Sequence, residues 1–317
     1  MRGVDLTVAR GETLAIVGES GCGKSLTALA IMGLLPRGAS CGAERIELEG
    51  VSLAGLSDRA WRAIRGARIA MIFQDPMTAL DPCYRVLDQM TEVLRQHRRV
   101  SAKAAAARAV QLLGKVGIAS AAERARAYPH QLSGGLRQRV MIAMALLCEP
   151  DLIIADEPTT ALDVTIQAQV LRLLVSLQRE TGVGLILITH DLGVVASVAE
   201  RTAVMYGGQI VETGPTATIL ARPLHPYTEG LIRAIPIQGA ARRGDPLGFI
   251  PGTVPLQTGT LDRCGFIARC PYAHRSCTEG PVPLVPSPDG RLFRCVLAAD
   301  GSGRDPARWT ATPERAG

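Results

Sequence analysis

The stretch Leu14–Leu26, LAIVGESGCGKSL, decides how the rest of the sequence is read. Leu14–Val17 is a short apolar run with the length and composition of a buried strand. Gly18, four residues, Gly23, Lys24 and Ser25 follow, and then the helical run Thr27–Leu35. G-x-x-x-x-G-K-[ST] between a strand and a helix is the pattern of a phosphate-binding loop. Gly18, Gly21 and Gly23 permit backbone angles that turn several N–H groups into one concavity. The positive end of the following helix dipole lies behind them. In such a loop Lys24 reaches the β- and γ-phosphates of a nucleoside triphosphate, and the Ser25 hydroxyl takes a place on Mg²⁺.

On the N-terminal side, RGVDLTVARGET alternates and ends in a Gly turn, which predicts one strand of a hairpin feeding the loop strand. On the C-terminal side, Glu44–Leu53 reads as a strand and turn, Asp58–Arg65 as a short helix and Ile69–Phe73 as a buried strand. Gln74 and the proline-bounded loop DPMTALDP come next. Tyr84 to Leu147 is helical in period, with the stripes Val86, Leu87, Met90, Val93, Leu94 and Val110, Leu112, Leu113, Val116. Leu152–Ala155 is an apolar strand ending in Asp156-Glu157-Pro158. A helix over Asp163–Glu180, a buried strand over Val183–Thr189 ending in His190-Asp191, and a short helix over Leu192–Ala199 follow. Gly207-Gly208 then joins the strands Thr202–Tyr206 and Gln209–Glu212 in a hairpin. Continuously apolar strands alternating with helices predict a mainly parallel sheet covered on both faces, with the helical block as an insertion. From about Ala221 the chain holds at least twelve prolines and little periodicity beyond one helix at Tyr227–Ala234. That composition predicts a loop-rich appendage ordered by a cross-link.

The 317 residues suffice for about two domains and a sizeable core. Net charge is +6, but the arginines are scattered, so the sequence carries no nucleic-acid-binding patch and the charge reads as solvated surface. Only three lysines stand against 32 arginines, a bias that reads as genome composition. The longest apolar run, Val140–Ala155, is broken by Glu149, Pro150 and Asp151, short of the about 18 residues of a membrane span. With no apolar leader at the start, the expectation is a cytoplasmic protein that meets membranes through partners. Eight cysteines in a reducing compartment do not predict structural disulfides.

Taken together these motifs resemble the ATPase subunits of ABC transporters. GESGCGKS (18–25) resembles the Walker A loop, Gln74 the Q-loop, and LSGGLRQR (132–139) the ABC signature. LIIADEP (152–158) resembles Walker B, ALD (161–163) the D-loop, and His190 the switch histidine. QDPMTALDP, YPHQLSGGLRQR and TTALDVTIQAQ are similar to the dipeptide/oligopeptide importer branch, which also includes nickel importers. So are RPLHPYTEGLIRAIP (222–236), PGTVP (251–255) and RCPYAHRSC (269–277), which resemble its HPY-type C-terminal extension. The resemblance implies a P-loop NTPase: a RecA-like core, an antiparallel β subdomain, an inserted helical subdomain at about 84–147, and a small loop-rich C-terminal domain. It divides the chain into a nucleotide-binding domain, 1–220, and an extension, 221–317.

The resemblance also implies roles. Asp156 would hold Mg²⁺ through water, with Ser25 and Gln74; Glu157 would orient or deprotonate the attacking water; His190 would hydrogen-bond the γ-phosphate. Ser133, Gly134 and Gly135 would cap ATP bound to a second ATPase subunit, identical or different, with Asp163 at that interface. Leu136 stands where the general signature often has Gln, as is common in the importer branch. Two integral membrane permeases and an extracytoplasmic binding protein would complete the importer, the ATPase lying peripherally on the cytoplasmic face. Substrate identity, peptide or nickel, would be set by those partners. The rival readings are a soluble ABC-type ATPase acting on DNA or ribosomes and a non-hydrolytic regulatory subunit.

The sequence departs from the family pattern in its first residues. Family members carry a further strand and an adenine-stacking aromatic before this start, whereas no aromatic precedes Trp61 here. The expectation is base stacking that is absent or supplied differently, through a misplaced start or a truncation, with weaker nucleotide affinity and an exposed edge strand. Cys264-x₅-Cys270-x₆-Cys277-x₁₇-Cys295 in a core-poor segment reads as a metal staple or as four free thiols. The spacing is neither a ferredoxin run nor a zinc finger. Resemblance to cluster-bearing peptide-importer ATPases implies [4Fe–4S] first and zinc second, with His274 a bystander.

Overall fold

The computed structural model describes residues 1–159, 163–235, 248–255, 259, 261–302 and 304–309, without the side chains at 164, 165, 306 and 307. Two compact units emerge. One comprises Val8–Thr13 and Ser25–Ile188, the other Met1–Thr7, Leu14–Lys24 and Thr189 onward.

In the first unit the strands Ile69–Ile72, Leu152–Asp156 and Gly184–Thr189 run parallel, in that order. Ala155 lies opposite both Ile72 and Leu187, so the chain leaves all three strands at one carboxyl edge. The apolar runs read from the sequence are these strands, buried almost throughout. Helices Val86–His97, Ala102–Lys115, Ala121–Arg124 and Gly134–Leu146 occupy the expected helical block. Gly134–Leu146 is its hub, packing on Ala102–Lys115, Pro76–Ala79, Val164–Thr181 and the Ile69–Ile72 strand. It is buried nearly all round, so it lacks the amphipathic stripe of its neighbours. Glu47–Leu48 and Val51–Ser52 form a separate hairpin. Its turn residues Glu49 and Gly50 both have positive φ, as a type I′ turn requires.

DPMTALDP, expected as a loop, contains a short helix, Pro76–Ala79. Asp75 caps it by accepting the Met77 N–H at 2.7 Å, and Pro76 sits where a missing N–H costs nothing. The same prolines that suggested a loop are a helix start.

In the second unit Thr13–Val17 runs parallel to Arg201–Tyr206, which forms the expected hairpin with Gln209–Pro215. Gly207 and Gly208, both at positive φ, make the turn. Residues 1–12 do not form the expected hairpin strand. Their side chains keep the alternation, half-buried and exposed in turn, but the described segment has no ladder. It is held instead by single bonds such as Arg2 N–H to the Gly208 carbonyl at 2.9 Å.

Among the described residues after Ala221, two short strands join the sheet of this unit. Leu292–Phe293 pairs with Gln209–Pro215 and Val285–Pro286 pairs with Leu292–Phe293, both antiparallel. Two-residue strands leave no period to detect, which is why the segment reads as loop. Pro226–Arg233 is the expected helix. Tyr206, Tyr227, Phe266, Tyr272 and Trp309, five of the eleven aromatics, pack in one core with Val17 and Val204. Tyr206 and Tyr227 lie 4.7 Å apart, and Phe266 meets Tyr206 edge-on at 5.1 Å. Such contacts add about 0.5–1.5 kcal/mol each beyond burial. Ordering therefore comes from an aromatic core rather than from a cross-link alone.

Candidate functional site

In the unit that carries the loop, Gly18, Gly21 and Gly23 all have φ between 80° and 154°. Gly18 is the tightest: a Cβ there would stand 2.2 Å from the Met205 carbonyl oxygen. Any side chain at 18 would push the loop off the Arg201–Tyr206 strand. Lys24 Nζ donates to the carbonyls of Gly18 at 2.8 Å and Glu19 at 3.0 Å, so the ammonium lies within the loop it serves. Burial pushes the Cys22 thiol up from its ordinary value, with Lys24 pulling the other way. His190 is exposed at the end of its strand, followed by Asp191, which caps Leu192–Val198 by accepting the N–H groups of Gly193 and Val194.

The other unit brings together Ser25, Gln74, Asp156 and Glu157. Ser25 Oγ donates to Asp156 Oδ1 at 3.0 Å. Asp156 ends its strand and is buried. Glu157 follows at φ +45°, in the left-handed region that side chains rarely adopt. Its N–H donates to the Ile188 carbonyl at 2.9 Å, and its Oε2 accepts from Gln74 Nε2 at 3.3 Å. Parallel register brings Gln74, Asp156 and Glu157 to one edge although they are far apart in sequence. Oxygen ligands beside a carboxylate that can polarise water suit Mg²⁺-dependent phosphoryl chemistry.

Ser133 caps the Gly134–Leu146 helix, its Oγ accepting the Leu136 N–H at 3.4 Å. Gly135 lies close under Ile166: a Cβ there would stand 3.0 Å from its side chain. Asp163 caps the next helix, accepting the Ile166 N–H at 3.0 Å. Ala161 and Leu162 of the ALD motif, and Pro236 at the end of the HPY stretch, lie outside the described residues.

Cys264, Cys270, Cys277 and Cys295 line one small cavity with His225 and Phe266. They are free thiols, and among the described residues no three His, Cys, Asp or Glu side chains stand close enough to hold a metal ion. The expected iron–sulfur centre is thus a convergence of thiols rather than a formed site. Burial pushes Cys264 up to about 11 and Cys270 up to about 12. His274 is more than a bystander: its Nδ1 is 3.0 Å from the Tyr272 carbonyl and 3.6 Å from Cys277 Sγ. His225 was not singled out from sequence. Its Nδ1 accepts the Tyr227 N–H at 3.0 Å, and burial lowers its pKa to about 3, keeping the ring neutral. Glu212 was missed as well. It is fully buried and accepts the N–H groups of Leu224 and His225, both at 2.9 Å. A glutamate in a mixed hairpin strand reads as solvent-facing, so the sequence gives no sign of its burial.

The ABC transporter family profile matches residues 1–160, and that of the oligopeptide/dipeptide transporter C-terminal region matches 211–277. The dipeptide transport ATP-binding protein DppD of Bacillus subtilis is 54% identical over 298 residues, 94% of this chain and 88% of the relative. The chain belongs to the dipeptide/oligopeptide branch of the ABC-transporter ATPases. DppD of Escherichia coli is 47% identical over 301 residues, 95% of this chain and 91% of that one. The ABC cassette MJ0796, solved as a dimer bound to ADP and Pi, superposes with a TM-score of 0.60 at 30% identity. It covers 67% of this chain and 89% of its own. This ABC ATPase therefore has the P-loop NTPase fold expected of it and is an enzyme that hydrolyses ATP. No helix among the described residues is long and apolar enough to cross a membrane.

Proposed function

We propose that this chain hydrolyses ATP to drive import of di- or oligopeptides across the cytoplasmic membrane, lying peripherally on its cytoplasmic face. The observation that carries the reading is the convergence of Ser25, Gln74, Asp156 and Glu157 at one sheet edge. It occurs in a chain with the oligopeptide-transporter C-terminal region. Gly18, Gly21, Gly23 and Lys24 take the phosphates. Ser25 and Gln74 would hold Mg²⁺, with Asp156 through water, and the ion would neutralise charge on the transferring group. Glu157 orients or deprotonates water, and His190 hydrogen-bonds the γ-phosphate. Ser133, Gly134 and Gly135, at a helix N-terminus, serve the ATP of a second ATPase subunit, the same or different, across an interface that includes Asp163.

Phe73, Met77 and Tyr84, exposed on the segment around Gln74, support docking of membrane permeases there. An extracytoplasmic binding protein would deliver the substrate. Residues 1–220 then form the nucleotide-binding domain and 221–317 the extension. The test is ATP hydrolysis in vesicles holding this chain with its two permeases and binding protein. Dipeptides or oligopeptides should stimulate turnover; stimulation by Ni²⁺ alone would give the nickel-importer alternative.

A metal staple would account for four thiols that line one cavity, Cys277 buried and Cys264, Cys270 and Cys295 half-buried, with the Leu297 N–H directed at Cys295 Sγ at 3.5 Å. The reading is [4Fe–4S], with zinc the alternative. Either would be held by the four sulfurs as thiolates, their protons released to solvent, and would tie the loops together. Anaerobically purified protein should carry iron and acid-labile sulfide in equal amounts, lost in Cys270→Ser. Zinc without sulfide would select the alternative, and neither metal would remove the staple.

A further inference from the structure

Within the phosphate loop, Glu19 is an anomaly. A carboxylate beside a polyphosphate repels it. Arg269 takes up that charge through two parallel bonds, Nη1 to Oε2 at 2.7 Å and Nη2 to Oε1 at 2.9 Å. The Arg269 side chain is 4% exposed. It is itself fixed by donating to the carbonyls of Pro251 at 2.8 Å and Gly252 at 3.2 Å. A paired, charge-assisted fork of this kind is directional as well as strong. The second tie is to the backbone. The Glu19 N–H donates to Tyr227 Oη at 2.7 Å, and Tyr227 is wedged in the aromatic core between Tyr206 and Phe266. With Lys24 on its carbonyl, every polar group of Glu19 is engaged.

We infer that Arg269 and Tyr227 are positioning residues for the ATP-binding loop, holding Glu19 so that its charge is neutralised and the loop is curved for phosphate before nucleotide arrives. The inference rests on the reading of Gly18–Ser25 as the ATP-phosphate site. A loop ordered in advance loses less freedom on binding, so the effect falls on nucleotide affinity.

The test is equilibrium binding of a ribose-labelled fluorescent ATP analogue to the full chain, with steady-state hydrolysis and melting temperature. Arg269→Gln and Tyr227→Phe should each weaken binding about tenfold and raise KM in proportion, with kcat within about twofold. Glu19→Gln removes the repelling charge together with the fork, so it should bind the analogue more tightly than Arg269→Gln does. The Glu19→Gln/Arg269→Gln double variant should be no weaker than the weaker single, and Arg269→Lys should recover part of the loss. If Arg269→Gln does not fold, Tyr227→Phe and Arg269→Lys decide. Unchanged affinity in those variants, or a lowered melting temperature with affinity intact, overturns the inference. The underlying reading fails differently: the unaltered chain would then not bind the analogue, or Lys24→Ala would bind it as tightly as the unaltered chain does.

Discussion

Glu157→Gln should bind ATP as the unaltered chain does and hydrolyse it about 10²–10⁴-fold more slowly, the usual worth of a positioned base. The side chain stands one residue beyond the buried Asp156, at φ +45°. A left-handed residue outside glycine costs about 1 kcal/mol or more and persists where its surroundings enforce it. Here the Ile188 carbonyl holds the Glu157 N–H at 2.9 Å, and Gln74 reaches the carboxylate at 3.3 Å. Glutamine has the same length and can keep a bond to Gln74, so the edge should stay intact. What it loses is the ability to take a proton from water. Phosphate release under single-turnover conditions, beside analogue binding, checks both halves. Near-normal turnover would take Glu157 out of the role.

Arg291→Met should destabilise the protein by about 3–5 kcal/mol, the cost of breaking a buried pair from one side. Arg291 and Glu212 are both 0% exposed, 3.2 Å apart. The guanidinium also donates to Asp289 at 2.9 Å and to the Arg222 carbonyl at 2.6 Å. Arg291, Ser287 and Arg222 together hold the Asp289 carboxyl well below the usual range. Removing the arginine strands Glu212, whose carboxyl burial already raises, inside a sheet that must still satisfy the N–H groups of Leu224 and His225. Urea denaturation should show a lower midpoint, and adding Glu212→Gln should restore part of it. A loss under about 1 kcal/mol would mean that the site relaxes around the gap or admits water.

Much of the nucleotide site is legible from residues alone, because its signals are local. Strand, loop and helix around Lys24 follow one another within a few positions, as do the apolar strand and the Asp156-Glu157 pair. The edge that joins Gln74 to Glu157 is half legible. Both follow apolar strands, and parallel pairing then sets them side by side. The alternating opening segment misleads because alternation reports two-sidedness and says nothing of whether a neighbour is there to pair with. Pro76–Ala79 misleads because proline marks a helix start as readily as a loop.

The phosphate loop, the acidic pair and the signature can be read from residues alone, because each is coded in short spacings that backbone geometry translates directly; the four cysteines show there as a cluster. How the C-terminal region is used shows only in three dimensions. The pairing of Leu292–Phe293 with Gln209–Pro215, the buried Glu212–Arg291 pair and the hold of Tyr227 and Arg269 on Glu19 join residues 79 to 250 positions apart. Contacts at such separations leave no period in the chain; they exist only once the sheet and aromatic core have brought those residues together.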